Sequence, residues 1–408
     1  MPLVRYNVRD IIKEREFYMK FKKYIALMLA LVLVLSALTG CSSKGKTLMT
    51  LEKEKISVNT FYLFLSRMKG YFVADAAYGE SARYDSFWET LMSTDGTTYD
   101  TFYTNQVLDN MKSYIAALHL FRERGLKLPD ETIDAIDAEL QEIIDIEWNG
   151  SKTEFNAKLA EYGANYEVLR EAKIIEAKID YLRADLFGEN GEKIDSKLKE
   201  PYYQANYRRF KHMFFYTYKY VTEIDEEGNE KIVTGTDGYA LTEDMTEAEI
   251  RLVIDRANEA MEKAVVKEKN GKKYGDEELF NSMLSEKNSN GKYVYNEDKG
   301  MQQNVNGVYV KRDSDYDSPE VVEALFEMEV GEIRLIRSKQ GFHVLMRYEN
   351  DEGAYANSAN EGSFGGFIRE LESLLMVDYL KPYKELVVVD EKAFKEISIK
   401  DVAPNLYY

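Results

Sequence analysis

The sequence predicts an α+β protein: a mostly helical region followed by an α+β domain. Three observations carry that prediction. From about residue 105 to 186, apolar residues recur three and four apart, the period of helices with one buried face. At Arg208 to Tyr220 (RRFKHMFFYTYKY) the period changes to a dense aromatic run, which reads as a strand. From Val330 to Tyr348 a strand, a Gln340-Gly341 turn and a second strand follow a short helix.

In order along the chain, Leu48 to Val58 reads as a strand and turn. It leads into a helix at Thr60, with Phe61, Phe64 and Leu65 on one side. Leu108, Met111, Ile115 and Leu118 form the apolar face of a helix from Asn105 to Arg124, and Gly125 stops it. Pro129 opens the next helix, whose stripe is Ile133, Ile136, Leu140, Ile143 and Ile144. A shorter helix from Ser151 to Tyr162 turns Phe155 and Leu159 inward. A long one from about Tyr166 to Leu186 does the same with Leu169, Ala172, Ile175, Ile179 and Leu182.

After the aromatic strand, Tyr220 to Ile224 and Lys231 to Thr236 predict a long hairpin around Gly228. Thr246-Glu247-Ala248-Glu249 has the spacing of a capping box ahead of a helix. Lys267 to Tyr274 reads as a basic loop, Glu277 to Leu284 as a short helix, and Asn288 to Gly307 as a Gly/Asn-rich stretch. Pro319 to Met328 is a helix. Asp351 to Gly366 reads as a linker, Phe367 to Leu380 as a helix and Glu385 to Val389 as a strand.

The ends of the chain set its expected destination. Met19-Lys20-Phe21-Lys22-Lys23 is a basic head, and Ile25 to Leu38 is an apolar run too short for a comfortable membrane span. Leu38-Thr39-Gly40-Cys41 follows, with the only cysteine of the chain, so no disulfide within the chain supports the fold. The domain reading is 1–18 as a mis-start upstream of the true initiator, 19–41 as a signal peptide, 42–205 as the helical lobe, 206–350 as the α+β domain, 351–366 as the linker and 367–408 as a C-terminal segment. The formal net charge of -18 argues against nucleic acid or an anionic membrane surface as a partner. No P-loop, dinucleotide fingerprint or metal-spaced histidine cluster is present, so no cofactor and no metal are expected.

The LTGC ending resembles the lipobox of bacterial lipoproteins, which implies acylation of Cys41 and a lipid anchor on the extracytoplasmic face of the cell membrane. Lys211-His212-Met213-Phe214-Phe215 resembles the opening strand of parvulin-type peptidyl-prolyl isomerases. Phe326 to Ile333 resembles their helix end and "VGE" turn, and Gly341-Phe342-His343-Val344-Leu345 their closing strand. With the helical lobe, the whole is similar to the extracytoplasmic foldases of the PrsA and SurA type. In that family the helical chaperone lobe is made from segments on both sides of the parvulin module, which implies that 206–350 is an enlarged module inserted into the lobe and that Glu385 to Asp401, within 367–408, returns to pair with the strand near Leu48.

The resemblance implies that His212 and His343 face each other on adjacent strands as the catalytic pair. It implies that Phe214, Tyr316 (or Asp317), Val321 and Phe326 bind the substrate proline. The acidic or thiol residue of the module falls on Lys287, after Ser285-Glu286, and the ring pocket departs from the family's pattern. Unfolded or exported polypeptides are the implied partners, and a homodimer is among the assemblies allowed. The alternatives are a catalytically inactive parvulin-like chaperone and a solute-binding lipoprotein; the repeated βαβ pattern of the latter is not seen.

Overall fold

The computed structural model describes residues 45–408 except 299, 302, 303, 305, 315 and 317. The segment expected to be a signal peptide, the expected lipidation site Cys41 and Asp317 lie outside the described residues. The class is α+β as expected. The chain divides into two compact units: one runs to Glu189 and resumes at Ser373–Tyr408, and the other is Asn190–Glu372.

The first unit opens with an antiparallel hairpin, β1 (Thr47–Leu51) and β2 (Glu54–Ser57). Val388–Val389, from the far end of the sequence, pairs with β1 through Met49 and Thr50. The Asp390 N–H donates to Leu48 O at 2.8 Å. The return of the C-terminal segment to the strand near Leu48 is thus present in the backbone pairing. Helices α1 (Val58–Ala74), α2 (Tyr99–Glu123), α3 (Asp130–Glu147), α4 (Lys152–Ala160) and α5 (Tyr166–Phe187) follow. Ser57, Thr98, Ser151 and Asn165 each accept a backbone N–H of the first turn of the helix that follows, satisfying donors that the helix cannot. The predicted stripes bury Ile136, Leu140, Ile144, Phe155, Leu159, Leu169 and Ala172 together, while Ile133, Ile143 and Ile179 stay half-buried.

The second unit opens with α6 (Ser196–Asn206), which the sequence reading gave to the helical lobe. It runs straight into β3 (Tyr207–Tyr216). The expected single hairpin is a two-tier arm. In it β4 (Tyr218–Tyr220) pairs with β7 (Thr242–Asp244), and β5 (Thr222–Ile224) pairs with β6 (Glu230–Ile232) inside them. Next come α7 (Glu247–Ala264), with the predicted capping box formed, β8 (Val265–Lys269), β9 (Lys272–Gly275), α8 (Glu277–Ser285), β10 (Val308–Lys311), α9 (Pro319–Glu327), β11 (Glu332–Arg337) and β12 (Gly341–Tyr348).

The expected basic loop is a hairpin. Asn270 and Gly271 both take positive φ, 54° and 75°, the conformation a tight two-residue turn demands and an Asn-Gly pair supplies. The expected linker is also packed structure. Ala354 and Phe364 join Tyr203, Tyr207, Tyr309 and Phe367 in an aromatic cluster, because Tyr355 and Phe364 give this Gly/Ser-rich stretch apolar surface to bury.

The strands β10, β3, β12, β11, β9 and β8 lie in that order in one antiparallel sheet. Side chains alternate between its faces. Lys211, Met213 and Phe215 of β3 turn to one face, where α7 sets Arg256 over the Phe215 ring and α8 sets Asn281 against Lys211. Arg208, Phe210, His212 and Phe214 turn to the other, where α9 places Phe326 against Arg208.

Candidate functional site

Histidines 212 and 343 meet because of the register of the two central strands. β12 is antiparallel to β3, with His343 opposite Phe214 and Leu345 opposite His212. The two imidazoles are therefore diagonal neighbours on one face. Their ring centroids are 5.0 Å apart and the two Nδ1 atoms 3.1 Å apart. The Phe214 ring stacks on His343 at 4.1 Å, with a 14° interplanar angle. Gly341 lets β12 come this close: a Cβ there would lie 2.1 Å from Phe215 O.

The pair is the middle of a longer chain of hydrogen bonds. Nε2 of His212 lies 2.8 Å from Asp298 Oδ2, and Nε2 of His343 lies 2.8 Å from Ser338 Oγ. Asp298 arrives on an irregular segment that covers the edge of β3 beyond the end of β10. There Asn296 Oδ1 accepts Phe214 N–H at 3.0 Å, Glu297 N–H donates to Phe214 O at 2.8 Å, and the Glu297 carboxylate accepts Tyr216 N–H at 2.8 Å. Oδ1 of Asp298 accepts the Gly300 and Met301 N–H groups, leaving Oδ2 for the imidazole.

Charge fixes the direction of the chain. Burial raises the Asp298 carboxyl pKa, but the His212 hydrogen bond and the backbone N–H donors outweigh it, so the group is held below its ordinary range. An ionised carboxylate only accepts. Nε2 of His212 therefore donates, and its Nδ1 accepts from His343 Nδ1–H. His343 Nε2 is then left to accept the Ser338 hydroxyl, whose oxygen accepts Gln340 N–H at 3.3 Å. For a neutral His212 the network thus assigns both tautomers. Burial, then the neighbouring His212, pushes His343 down to about 3, so it stays neutral at ordinary pH. Both imidazoles are 2% exposed.

The other residues expected at the site divide. Phe214 lies against the histidines, and Tyr316 packs edge-on to Phe210 at 6.0 Å. Val321 is fully buried in the core and presents no surface to a substrate. Phe326 sits between the guanidiniums of Arg208 and Arg312, and the ring contacts of the two histidines are to Phe210, Phe214 and each other. Lys287 lies over the Tyr293 ring; the acidic position beside the histidines belongs to Asp298. Sequence reading missed Asp298. The signal available was the Asn296-Glu297-Asp298 run followed by Gly300, a pattern for side chains that cap their own turn. His119, assigned no role, is buried on α2 beside Arg122 and Glu123. Among the described residues no group of acidic, histidine or cysteine side chains could hold a metal ion.

No family model matches the chain, and no curated protein matches it. Among solved structures it is similar to foldase protein PrsA from Streptococcus pneumoniae (14% identity, 75% of this chain and 97% of that one, TM-score 0.21). It is similar to the peptidylprolyl isomerase PrsA from Bacillus cereus (14%, 75% and 95%, TM-score 0.27). It is also similar to a SurA-like chaperone of Campylobacter jejuni (16%, 72% and 92%, TM-score 0.19). At TM-scores this low, the case for a function rests on the residues themselves.

Proposed function

We propose that this chain is an exported polypeptide-folding factor. The second unit acts as a parvulin-like peptidyl-prolyl isomerase, and the helical unit holds unfolded clients. In this reading Cys41 carries a lipid that tethers the protein to the outer face of the cell membrane. The observation that supports it is the Asp298–His212–His343–Ser338 chain on the two central strands, backed by a stacked Phe214.

Prolyl isomerisation needs no nucleophile. Its barrier, about 18–20 kcal/mol, is the resonance of the amide, and a twisted amide is less dipolar than a planar one. A water-poor site with fixed polar groups therefore favours the twisted form over the ground state. Here Tyr316, half-buried against Phe210, offers apolar ring surface, and the buried Phe214 backs the imidazoles. Asp298 orients His212, and through it His343, so that Ser338 and the imidazoles keep one arrangement while the amide rotates.

A second reading, a chaperone without catalysis, draws on the burial of both imidazoles and of Val321. One preparation separates the two. Refolding of a client limited by a proline isomer should accelerate with the full chain, and aggregation of an unfolded client should be suppressed. Suppression without acceleration selects the second reading, and neither effect removes both.

A further inference from the structure

A pocket of about 590 Å³ on the helical unit is walled by aromatic rings and carries a single ionisable carboxylate. Met68, Tyr71, Phe72 and Asp75 line it from α1 and its cap, at the three- and four-residue spacing that puts side chains on one helical face. Tyr103 joins them from α2. Tyr78 joins from the turn after α1, where Asp75 O accepts the Tyr78 and Gly79 N–H groups at 3.3 and 2.7 Å. Phe72 is the most buried of the four rings, 3% exposed, with its centroid 4.5 Å from that of Tyr103 and 5.0 Å from that of Tyr78. Tyr71 is the most open, at 65%. Burial, and then the neighbouring phenols of Tyr78, Tyr99 and Tyr71, push the Tyr103 hydroxyl up.

Two features make this pocket negative. Asp75 is the C-cap of α1, and the carbonyl end of a helix is the negative pole of its dipole. α1 has no basic residue in its last turn to offset that pole. The Asp75 carboxylate itself accepts the Ala77 N–H through Oδ1 at 2.7 Å. Among the described residues, no lysine, arginine or histidine nitrogen lies within 4.0 Å of it. The cations nearest in sequence are engaged elsewhere: Arg67 pairs with Glu176, Arg83 with Glu80, and the buried Lys69 donates to Val402 O. No lysine or arginine lines the pocket, whose remaining side chain is Gln106.

Ring walls, a carboxylate and a helix C-terminus together ask for a cation. Aromatic faces attract one through their quadrupole. A guanidinium stacks flat on such faces while its N–H fork meets a carboxylate, which a compact ammonium does less well. Phe102 of α2, 41% exposed and 5.0 Å from the Tyr103 ring, and the open Tyr71 carry ring surface outward, where apolar neighbours of the cation in a polypeptide would pack. From this geometry we infer that the Tyr71–Asp75–Tyr103 pocket binds an arginine side chain of a client polypeptide, together with the apolar residues beside it. The inference rests on the reading of the helical unit as the part that holds clients, and it does not depend on isomerase activity.

The test is calorimetric titration of the full chain with acetyl-Gly-Leu-Arg-Leu-Gly-amide, with the same peptide carrying neutral citrulline in place of arginine, and with choline chloride. The arginine peptide should bind about tenfold or more tightly than the citrulline peptide and weaken with added salt. Its advantage should vanish in Asp75→Asn, which keeps the oxygen that accepts the Ala77 N–H and so keeps the turn. Tyr71→Leu, a change at an exposed position, should weaken the arginine peptide while the variant melts as the wild type does. Equal affinity for the two peptides, binding of neither, or an undiminished preference in Asp75→Asn would overturn the inference. So would choline binding more tightly than the arginine peptide, which would mark a site for a small quaternary ammonium. Suppression of client aggregation by the same wild-type sample reports separately on the helical unit as a holder of clients, so failure of the pocket is distinguishable from failure of that reading.

Discussion

Nδ1 of His343 faces Nδ1 of His212 at 3.1 Å, and Asp298 holds the far nitrogen of His212 at 2.8 Å. One hydrogen spans the gap between the rings, and its direction is set by a carboxylate on the opposite edge of the pair. The relay, rather than either histidine alone, defines the site.

Asp298→Asn removes the fixed charge while keeping the shape. The amide can present its NH₂ to His212, which reverses the tautomer. Isomerase kcat/KM should fall about tenfold or more, and the Nε2–H signal of His212 should disappear from a long-range ¹H–¹⁵N spectrum. Unchanged kinetics together with a lost signal would detach the relay from catalysis.

The neutral state of His343 makes stability depend on pH. In the unfolded chain this residue titrates at its ordinary value of 6.5, and in the fold at about 3. Between those values the unfolded state binds more protons, so stability present above pH 6.5 is lost as pH falls through that window. Asp298 adds loss in the same direction at lower pH, below its ordinary 3.8. Urea midpoints measured from pH 7.5 to 4 should fall more steeply for the wild type than for His343→Gln; parallel slopes would count against a buried neutral imidazole.

At Gly341, Ala would place its Cβ 2.1 Å from Phe215 O and 2.9 Å from Phe214 Cε2. Backbone cannot give way as a flexible side chain can. Denaturant titration should show a cost of about 1–3 kcal/mol, and the loss of activity should exceed what unfolding explains, because β12 would carry His343 away from His212.

Thr246→Ala serves as a contrast. Thr246 and Glu249 close a capping box at the start of α7, on the face of the sheet away from the histidines. The change should cost about 1 kcal/mol in urea denaturation and leave kcat/KM of the remaining folded protein as it was.

The helices and central strands were legible because each has a period or a punctuation residue: Ile136, Leu140 and Ile144 on one helix, Thr246 and Glu249 at the cap of another. The neighbouring of His212 and His343 was legible through the order of the motifs around them. Asp298 was not, since it lies 86 residues from His212 on a segment with no period. The surroundings of Phe326 were hidden for a different reason. Spacing along α9 gives the turn a side chain sits on, but only the packed fold shows that Arg208 and Arg312 had claimed that ring. The packed stretch around Phe364 was hidden by its Gly/Ser-rich composition, and the Asn270-Gly271 turn by the lysines on either side.

The most direct measurement is two-dimensional exchange NMR on the peptide Ala-Ala-Pro-Phe, which reads cis–trans interconversion without a coupled enzyme. Substoichiometric full-length protein should produce exchange cross-peaks within seconds, where the free peptide needs tens of seconds or more. The double variant His212→Ala/His343→Ala should remove those peaks while remaining folded. Cross-peaks of equal strength from the double variant, or none from the wild type, would contradict the assignment of these two imidazoles to prolyl isomerisation.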